Sequence, residues 1–416
     1  MTADTADCQS DYDPNSLSLD DARVRILSCF NAALTVETLP LAQTLNRVLA
    51  QDIKAPRDVP PYRNSAMDGF ACRSQDLPDS GLVSFDIIGD SLAGHAFTEQ
   101  LQSQQAIRVT TGAVLPDSAD IVVMQERAQS DNNKVSFDVR DTQNKSFVRE
   151  RGSDTRSGDA VMQAGQRLGP AQIAVLASIG TTEVVLYQKP RVAILSTGDE
   201  LVEIGDTPAI DQIFDSNRPA LFALLQNAQI DVVDLGICKD NPSAIKASLL
   251  KAAEEADVII SSGGVSVGQA DHLRSVLEQI GELNFWKISM KPGRPLTFGS
   301  INNTHYFGLP GNPVSTLVTF QQLVEPALKK LSGENNSSTQ ISLFARCESP
   351  LKKQPGRQEF QRGILQQSSE GELLVKATGA QDSHILSSVS RANCLIDLSA
   401  QSAGAEVGES VRIHLL

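Results

Sequence analysis

Between residues 190 and 332, short apolar runs alternate with stretches whose apolar positions recur at helical spacing. Runs at 191–197, 231–237, 257–264, 284–290, 296–299 and 305–311 predict strands, several of them too continuously apolar to face water on either side. Between and after them, periodic stretches predict helices from Asn217 to Gln226, from Pro242 to Ala256, over 271–280 and over 313–331. Strands alternating with amphipathic helices predict a doubly wound, mostly parallel α/β domain.

The flanking texture differs. Residues 17–34 put Leu17, Ala22, Val24, Leu27, Phe30 and Leu34 near helical spacing, with Ser18 as N-cap and Asp21 three residues on; a second helix is expected over 40–50. Pro56, Pro60 and Pro61 then break helix, and residues 57–152 become short β-like runs at 83–89, 105–110, 120–126 and 134–139. Residues 170–180 predict a helix stopped by Gly180. The shared texture of the segments before and after the β-rich module makes it readable as an insertion within one domain. Residues 333–339 read as a polar linker, and 340–416 as short strands forming a small β-barrel or sandwich.

Length and composition then narrow the function classes. A chain of 416 residues implies two to four domains, and 41% hydrophobic content supplies ample cores. A formal charge of −14 argues against non-specific nucleic-acid or anionic-membrane binding, which needs a basic surface. The scattered cysteines and histidines have no zinc or iron–sulfur spacing, and unpaired cysteines fit a reducing cytoplasm. No run approaches the roughly 20 apolar residues of a membrane span. Met1 to Asp13 is acidic and polar, unlike a signal peptide, so residues 1–14 are expected to be a disordered tail.

Candidate chemistry gathers at the strand ends of the α/β domain. Three loops stand out: Ser261–Gly268, Lys291–Pro295 and Leu309–Pro313. In the first, Gly263 and Gly264 allow close backbone approach and Ser261, Ser262 and Ser266 add hydroxyl donors; a ligand-free Gly-rich turn has the same composition. The second carries Lys291 and Arg294 on a backbone stiffened by two prolines, with Lys287 flanking the same strand exit. The third has Pro310, Gly311, Asn312 at an N-cap and Pro313 at N1, which is ordinary helix initiation and also an anion-attracting helix start. Asp199, Glu200, Asp240 and Asp271 fall at neighbouring strand exits, where they suit a hydrated Mg²⁺ or serve as caps and solvated charge. No acid/base pair can be singled out without geometry. The sum is a site for an anionic ligand with a divalent cation.

Nine segments in order carry a resemblance: 64–71 (NSAMDGFA), 111–120 (TGAVLPDSAD), 151–154 (RGSD), 195–201 (LSTGDEL), 213–217 (IFDSN), 261–272 (SSGGVSVGQADH), 291–299 (KPGRPLTFG), 308–315 (GLPGNPVS) and 355–365 (PGRQEFQRGIL). Together they make the chain resemble the MoeA family of molybdopterin molybdenumtransferases, found also as the E domain of gephyrin and its plant counterpart. The resemblance implies a dimerisation domain built from 15–56 and 155–189, a β-rich module over 57–154, a molybdopterin-binding α/β domain over 190–332 and a barrel over 340–416. It implies a cytoplasmic homodimer with a composite active cleft, so that Asp68, Thr111 and Asp154 meet the glycine loops of the other subunit. It implies transient contact with other proteins of molybdenum cofactor biosynthesis and with acceptor enzymes.

The implied reaction inserts molybdate into adenylylated molybdopterin, with Mg²⁺-dependent release of AMP. Asp68, Asp240, Asp271, Lys287 and Lys291 become the implied catalytic set. Asp199, Glu200, Asp240 and Asp271 become the implied metal set. Thr111, Ser262, Gly263, Gly264, Ser266, Arg294, Pro310, Gly311, Asn312, Arg362 and Ser383 become the implied substrate contacts. Two positions depart from the family pattern: Phe70 stands where Tyr is more frequent, and Asp382 where Gly is common, which sets a carboxylate beside the Ser383 contact. The alternatives are a molybdopterin adenylyltransferase, which resembles the α/β domain alone, and a gephyrin-like binding scaffold. The scaffold normally carries a fused adenylyltransferase domain, which is not expected ahead of residue 15.

Overall fold

A computed structural model of the chain describes residues 16–30, 35–142, 146–263, 272–335 and 343–416. The expected tail, 1–14, lies outside them. The chain divides into two compact units. One holds residues up to Glu37, Asn46–Val48 and Leu186–Leu416; the other holds Thr38–Leu45 and Leu49–Val185.

The first helix, α1 (Leu19–Cys29), begins at Ser18, whose Oγ accepts from the Asp21 N–H at 3.0 Å and donates to the Asp21 carboxylate at 2.7 Å. Its buried face, Leu19, Ala22 and Ile26, joins Phe30 in the core of the α/β body. The helix expected over 40–50 does not form. Val36–Pro40 is extended, Leu41–Gln43 is a single 3₁₀ turn, and Asn46 takes a left-handed φ of 62°. The Leu49 and Ala50 N–H groups instead donate to Gln166 and Val185 carbonyls, so these backbone groups bond to distant segments and not within a helix.

The second unit holds a six-stranded sheet: β1 (Gly69–Cys72), β2 (Leu82–Ser91), β3 (Gln105–Val109), β4 (Ile121–Met124), β5 (Ala128–Ser130) and β6 (Lys134–Asp138), in the order β4-β1-β3-β2-β6-β5. Strand alternation sends Phe70 and Cys72 into one core with Phe85 and Phe137, and Ala71 into another with Ile107 and Val122. Helix α2 (Pro170–Ser178) follows, ended by Gly180 at φ 85°.

The other unit is built on β7 (Arg191–Thr197), α3 (Asn217–Asn227), β8 (Asp231–Cys238), α4 (Pro242–Glu255), β9 (Val258–Ser262), α5 (His272–Ile280), β10 (Gly281–Lys287), β11 (Met290–Lys291), β12 (Pro295–Ile301) and β13 (Thr304–Leu309). Its sheet order is β8-β7-β9-β13-β12-β10, parallel throughout except for β12. A continuous helical stretch follows, α6 (Pro313–Thr319) running through a π turn at Phe320–Val324 into α7 (Glu325–Leu331). Val192, Ile194, Val258 and Ile260 face α1, α3, α6 and α7, while Ala193, Leu195 and Ile259 face α4 and α5. That two-sided burial is why these strands read as unbroken apolar runs.

Beyond it lies the barrel: β14 (Leu343–Cys347), β15 (Leu351–Lys352), β16 (Gln358–Gln367), β17 (Leu373–Ala377), α8 (Ser387–Ser390), β18 (Cys394–Leu398) and β19 (Ser410–Leu415). β16 pairs with β17 at one end and β18 at the other, and β14 and β19 complete a closed ring of five strands. Strand β11 adds to β16 in parallel, placing Met290 opposite Gln358 and Lys291 opposite Glu359. The barrel is thereby stitched to the loop that follows β10. No described helix is long and apolar enough to cross a membrane.

Phe307 is fully buried, with its ring 5.0 Å from Phe298 and 6.3 Å from Phe30. Phe307→Ala removes this shared contact and is expected to lower the stability of the α/β body by about 3–5 kcal/mol in urea unfolding followed by circular dichroism.

Candidate functional site

The described parts of all three loops lie at one end of the α/β sheet. β9 and β13 are parallel neighbours, so the first and third loops leave side by side, and β12 begins at that same end because it runs against β13. The Gly263 N–H donates to the Leu309 carbonyl at 3.2 Å. A Cβ at Gly263 would sit 2.7 Å from the Thr197 carbonyl oxygen, and its φ is 92°. Only glycine lets the start of the first loop lie this close to the end of β7.

A residue not singled out from sequence joins them. Asn217 Nδ2 donates to Ser262 Oγ at 2.6 Å and to the Gly311 carbonyl at 2.7 Å. Asn217 is itself fixed by buried Asp215, which accepts from the Asn217 N–H at 3.1 Å and from Arg218 Nε at 3.2 Å. Arg218 also pairs with Asp234 and Glu203. Burial opposes the Arg218 charge, but these carboxylates outweigh it and its pKa is raised. From sequence, Asp215-Ser216-Asn217 reads as the start of a helix, which hides the second role of Asn217.

The second loop opens onto a cleft of about 810 Å³ between the α/β domain and the barrel. Lys291, Gly293 and Arg294 line one wall, and Asn312 and Ser315 of the α6 start line its floor. Lys352, Lys353, Gln354 and Arg357 come from the barrel, with Gln381, Asp382 and Ser383 beside them. Five cations and one carboxylate therefore face one cavity in a chain of net charge −14. Of the residues named from sequence, Lys291, Arg294, Asn312 and Ser383 line this one cleft. Lys352, Lys353 and Arg357 were not named as site residues, although Arg357 falls in the 355–365 segment, because charges on and beside a short barrel strand carry no sequence signal for a cleft. Lys353 is buried with its ammonium donating to the carbonyls of Gln354, Ala400 and Ser402, so it shapes the wall as much as it charges it.

Arg362 lies behind this wall, 1% exposed. Its Nε donates to Ser388 Oγ at 3.0 Å and its terminal nitrogen to the Asp382 carbonyl at 3.2 Å. Burial pulls its pKa below the ordinary arginine value, while Glu359 and Asp382 oppose the pull. The Ser383 carbonyl accepts from the Val314 N–H at 3.2 Å, fixing the 381–383 turn to the start of α6. Lys287 ends β10 at the same sheet end but is not among the residues lining the cleft.

Among the acids, Asp199 and Asp240 are neighbours: the Asp240 N–H donates to Asp199 Oδ1 at 3.2 Å. Glu200 is exposed, its carboxylate folded over Gly198. Among the described residues no three His, Cys, Asp or Glu side chains form a metal-holding group. Gly264, Ser266 and Asp271 lie outside the described residues. In the other unit, exposed Asp68 accepts from the Thr111 N–H at 2.6 Å and hydroxyl at 2.9 Å. The N–H and then the hydroxyl of Thr111 hold the Asp68 carboxyl below the usual range.

Three family models match in chain order: the MoeA N-terminal region (domain I and II) over residues 17–180, a probable molybdopterin binding domain over 193–330, and the MoeA C-terminal region (domain IV) over 345–416. The molybdopterin molybdenumtransferase of Haemophilus influenzae is 40% identical over 405 residues, 96% of this chain and 100% of that protein. Gephyrin of Dictyostelium discoideum is 34% identical over an alignment of 457 residues, 97% of this chain and 62% of that protein. Among solved structures, the molybdopterin biosynthesis moeA protein from Pyrococcus horikoshii OT3 has a TM-score of 0.83 at 28% identity, covering 96% of this chain and 100% of that one.

Asn217→Ala leaves Ser262 and Gly311 without their shared donor. The expected loss is about 1–3 kcal/mol in urea unfolding, with faster amide exchange over 309–312 by mass spectrometry.

Proposed function

We propose a function from one premise: this chain belongs to the MoeA family of molybdopterin molybdenumtransferases. It is a transferase of molybdenum cofactor biosynthesis, and its reaction inserts molybdenum, supplied as molybdate, into molybdopterin. The observation that carries the reading is the cation-lined cleft, whose charge runs against that of the whole chain.

The finer reading is that the pterin arrives adenylylated and that molybdenum joins its dithiolene as the phosphoanhydride is cleaved to release AMP. Lys291 and Arg294 offer charge to the oxyanion, with Ser383 and the buried Arg362 behind them. Cations preorganised in a walled cleft stabilise developing negative charge more than mobile ones, because they need not reorient as it develops. The start of α6 behind Gly311, held beside Ser262 by Asn217, suits phosphate oxygens. Lys287 lies at the mouth of the same sheet end and is assigned to long-range attraction of the anion.

Asp199 and Asp240 are the described carboxylates that suit Mg²⁺, which takes one or two protein carboxylates and completes its shell with water and phosphate oxygens. Glu200 and Asp271 are the remaining members of that proposed set. When bound, the ion supplies charge neutralisation at the phosphates. The protein acts as a homodimer in the cytoplasm, with Asp68 and Thr111 offered to the cleft of the second subunit. Asp68 suits this role because Thr111 keeps it ionised and fixes its orientation. Other proteins of the same pathway and the acceptor enzymes are transient partners.

Incubation with adenylylated molybdopterin, molybdate and Mg²⁺ is expected to release AMP, and Lys291→Ala to slow that release by about 10²–10³-fold. Absence of molybdate-dependent AMP release by the wild-type protein would overturn the function. Normal turnover by the variant would overturn the site.

A further inference from the structure

Of the acids near the cleft, Glu359 is the one set inside its wall, 5% exposed on β16. The parallel pairing of β11 with β16 places it directly opposite Lys291. Its Oε2 lies 3.5 Å from Lys291 Nζ, while the Lys291 side chain remains 48% exposed toward the cleft. Its other oxygen accepts from Gln361 Nε2 at 3.0 Å, and that same nitrogen donates to the Lys352 carbonyl at 2.9 Å. Glu359 also acts electrostatically on the buried Arg362. One carboxylate thus faces two of the proposed oxyanion-binding cations and is braced by a glutamine tied to the strand that carries a third.

We infer that Glu359 is a positioning residue for the proposed reaction: it holds the Lys291 ammonium at the cleft wall, oriented for the oxyanion. A buried acid inside an anion-binding wall costs affinity, since it repels the ligand and must be desolvated. Its gain is order. A lysine on a flexible four-carbon stem loses rotamer freedom on meeting a ligand, and a fixed counter-ion takes up that loss in advance. The two effects have opposite signs, so removing the charge separates them. An isosteric amide at 359 keeps the bond from Gln361 and releases only the charge.

The inference rests on the proposed molybdenum insertion, and its test has one arm that does not depend on turnover. In Glu359→Gln, AMP release at saturating molybdate is expected to fall about tenfold while the KM for molybdate stays level or drops. In a Lys291→Ala background the same change is expected to have no further effect on turnover, since the residue it positions is gone. Glu359→Asp, which keeps the charge, is expected to lie between wild type and Glu359→Gln. Independently of activity, the rate at which acetic anhydride modifies Lys291, read by peptide mass spectrometry, is expected to rise at least about threefold in Glu359→Gln, because the ammonium has lost its partner. Unchanged turnover in Glu359→Gln, additive losses in the double variant, or an unchanged acetylation rate would each overturn the inference. If wild-type protein releases no AMP, the function fails, and the acetylation comparison still decides whether Glu359 holds Lys291.

Discussion

The site depends on the pairing of two residues of β11 with the start of β16. Met290 is fully buried in the α/β core, and its neighbour Lys291 pairs with the barrel. Around them the chain is clamped: the Ile288 N–H donates to the Arg294 carbonyl at 2.6 Å, and the Gln358 N–H to the Ser289 carbonyl at 3.0 Å. Ser289 Oγ reaches the Gly356 carbonyl at 3.0 Å. Gly293 has a φ of 104°, and a Cβ there would collide with Thr319, so the loop is pressed against α6 as well. Short backbone pairings thus bring cations from two domains into one cavity with little freedom left to lose.

That arrangement answers the electrostatic problem posed by the composition. An acidic chain repels an anion at distances where its charges sum, but exposed charges are screened over about 8–10 Å at moderate salt. Inside a walled cleft, local cations outweigh the distant acids. Lys291, Arg294, Lys352 and Arg357 dominate the field a small oxyanion meets, with Asp382 as the opposing carboxylate on the lining.

Much of this was legible in the sequence, and what was not has physical reasons. The parallel sheet and its helices followed from burial on both faces, which leaves unbroken apolar runs such as 191–197. The loops followed from glycine and proline placed at strand ends. Residues 40–50 misled because their apolar positions outweighed the one turn signal among them, Asn46, a residue type that tolerates left-handed φ. Asn217 was hidden by its ordinary place at a helix start. Lys352, Lys353 and Arg357 were hidden because a charge on or beside a short strand looks solvated until the fold shows what it faces. Their contribution comes from β11–β16 pairing, a contact between segments far apart in the chain.

If loop and barrel build one oxyanion site together, loss of a cation from the barrel side alone weakens the binding of a small oxyanion. The most direct measurement is a calorimetric titration of wild type and Arg357→Ala with molybdate at fixed ionic strength. A saturable wild-type isotherm is expected, with roughly tenfold weaker binding in the variant, whose lost cation lies on the barrel side alone. Superimposable isotherms for the two proteins would contradict it.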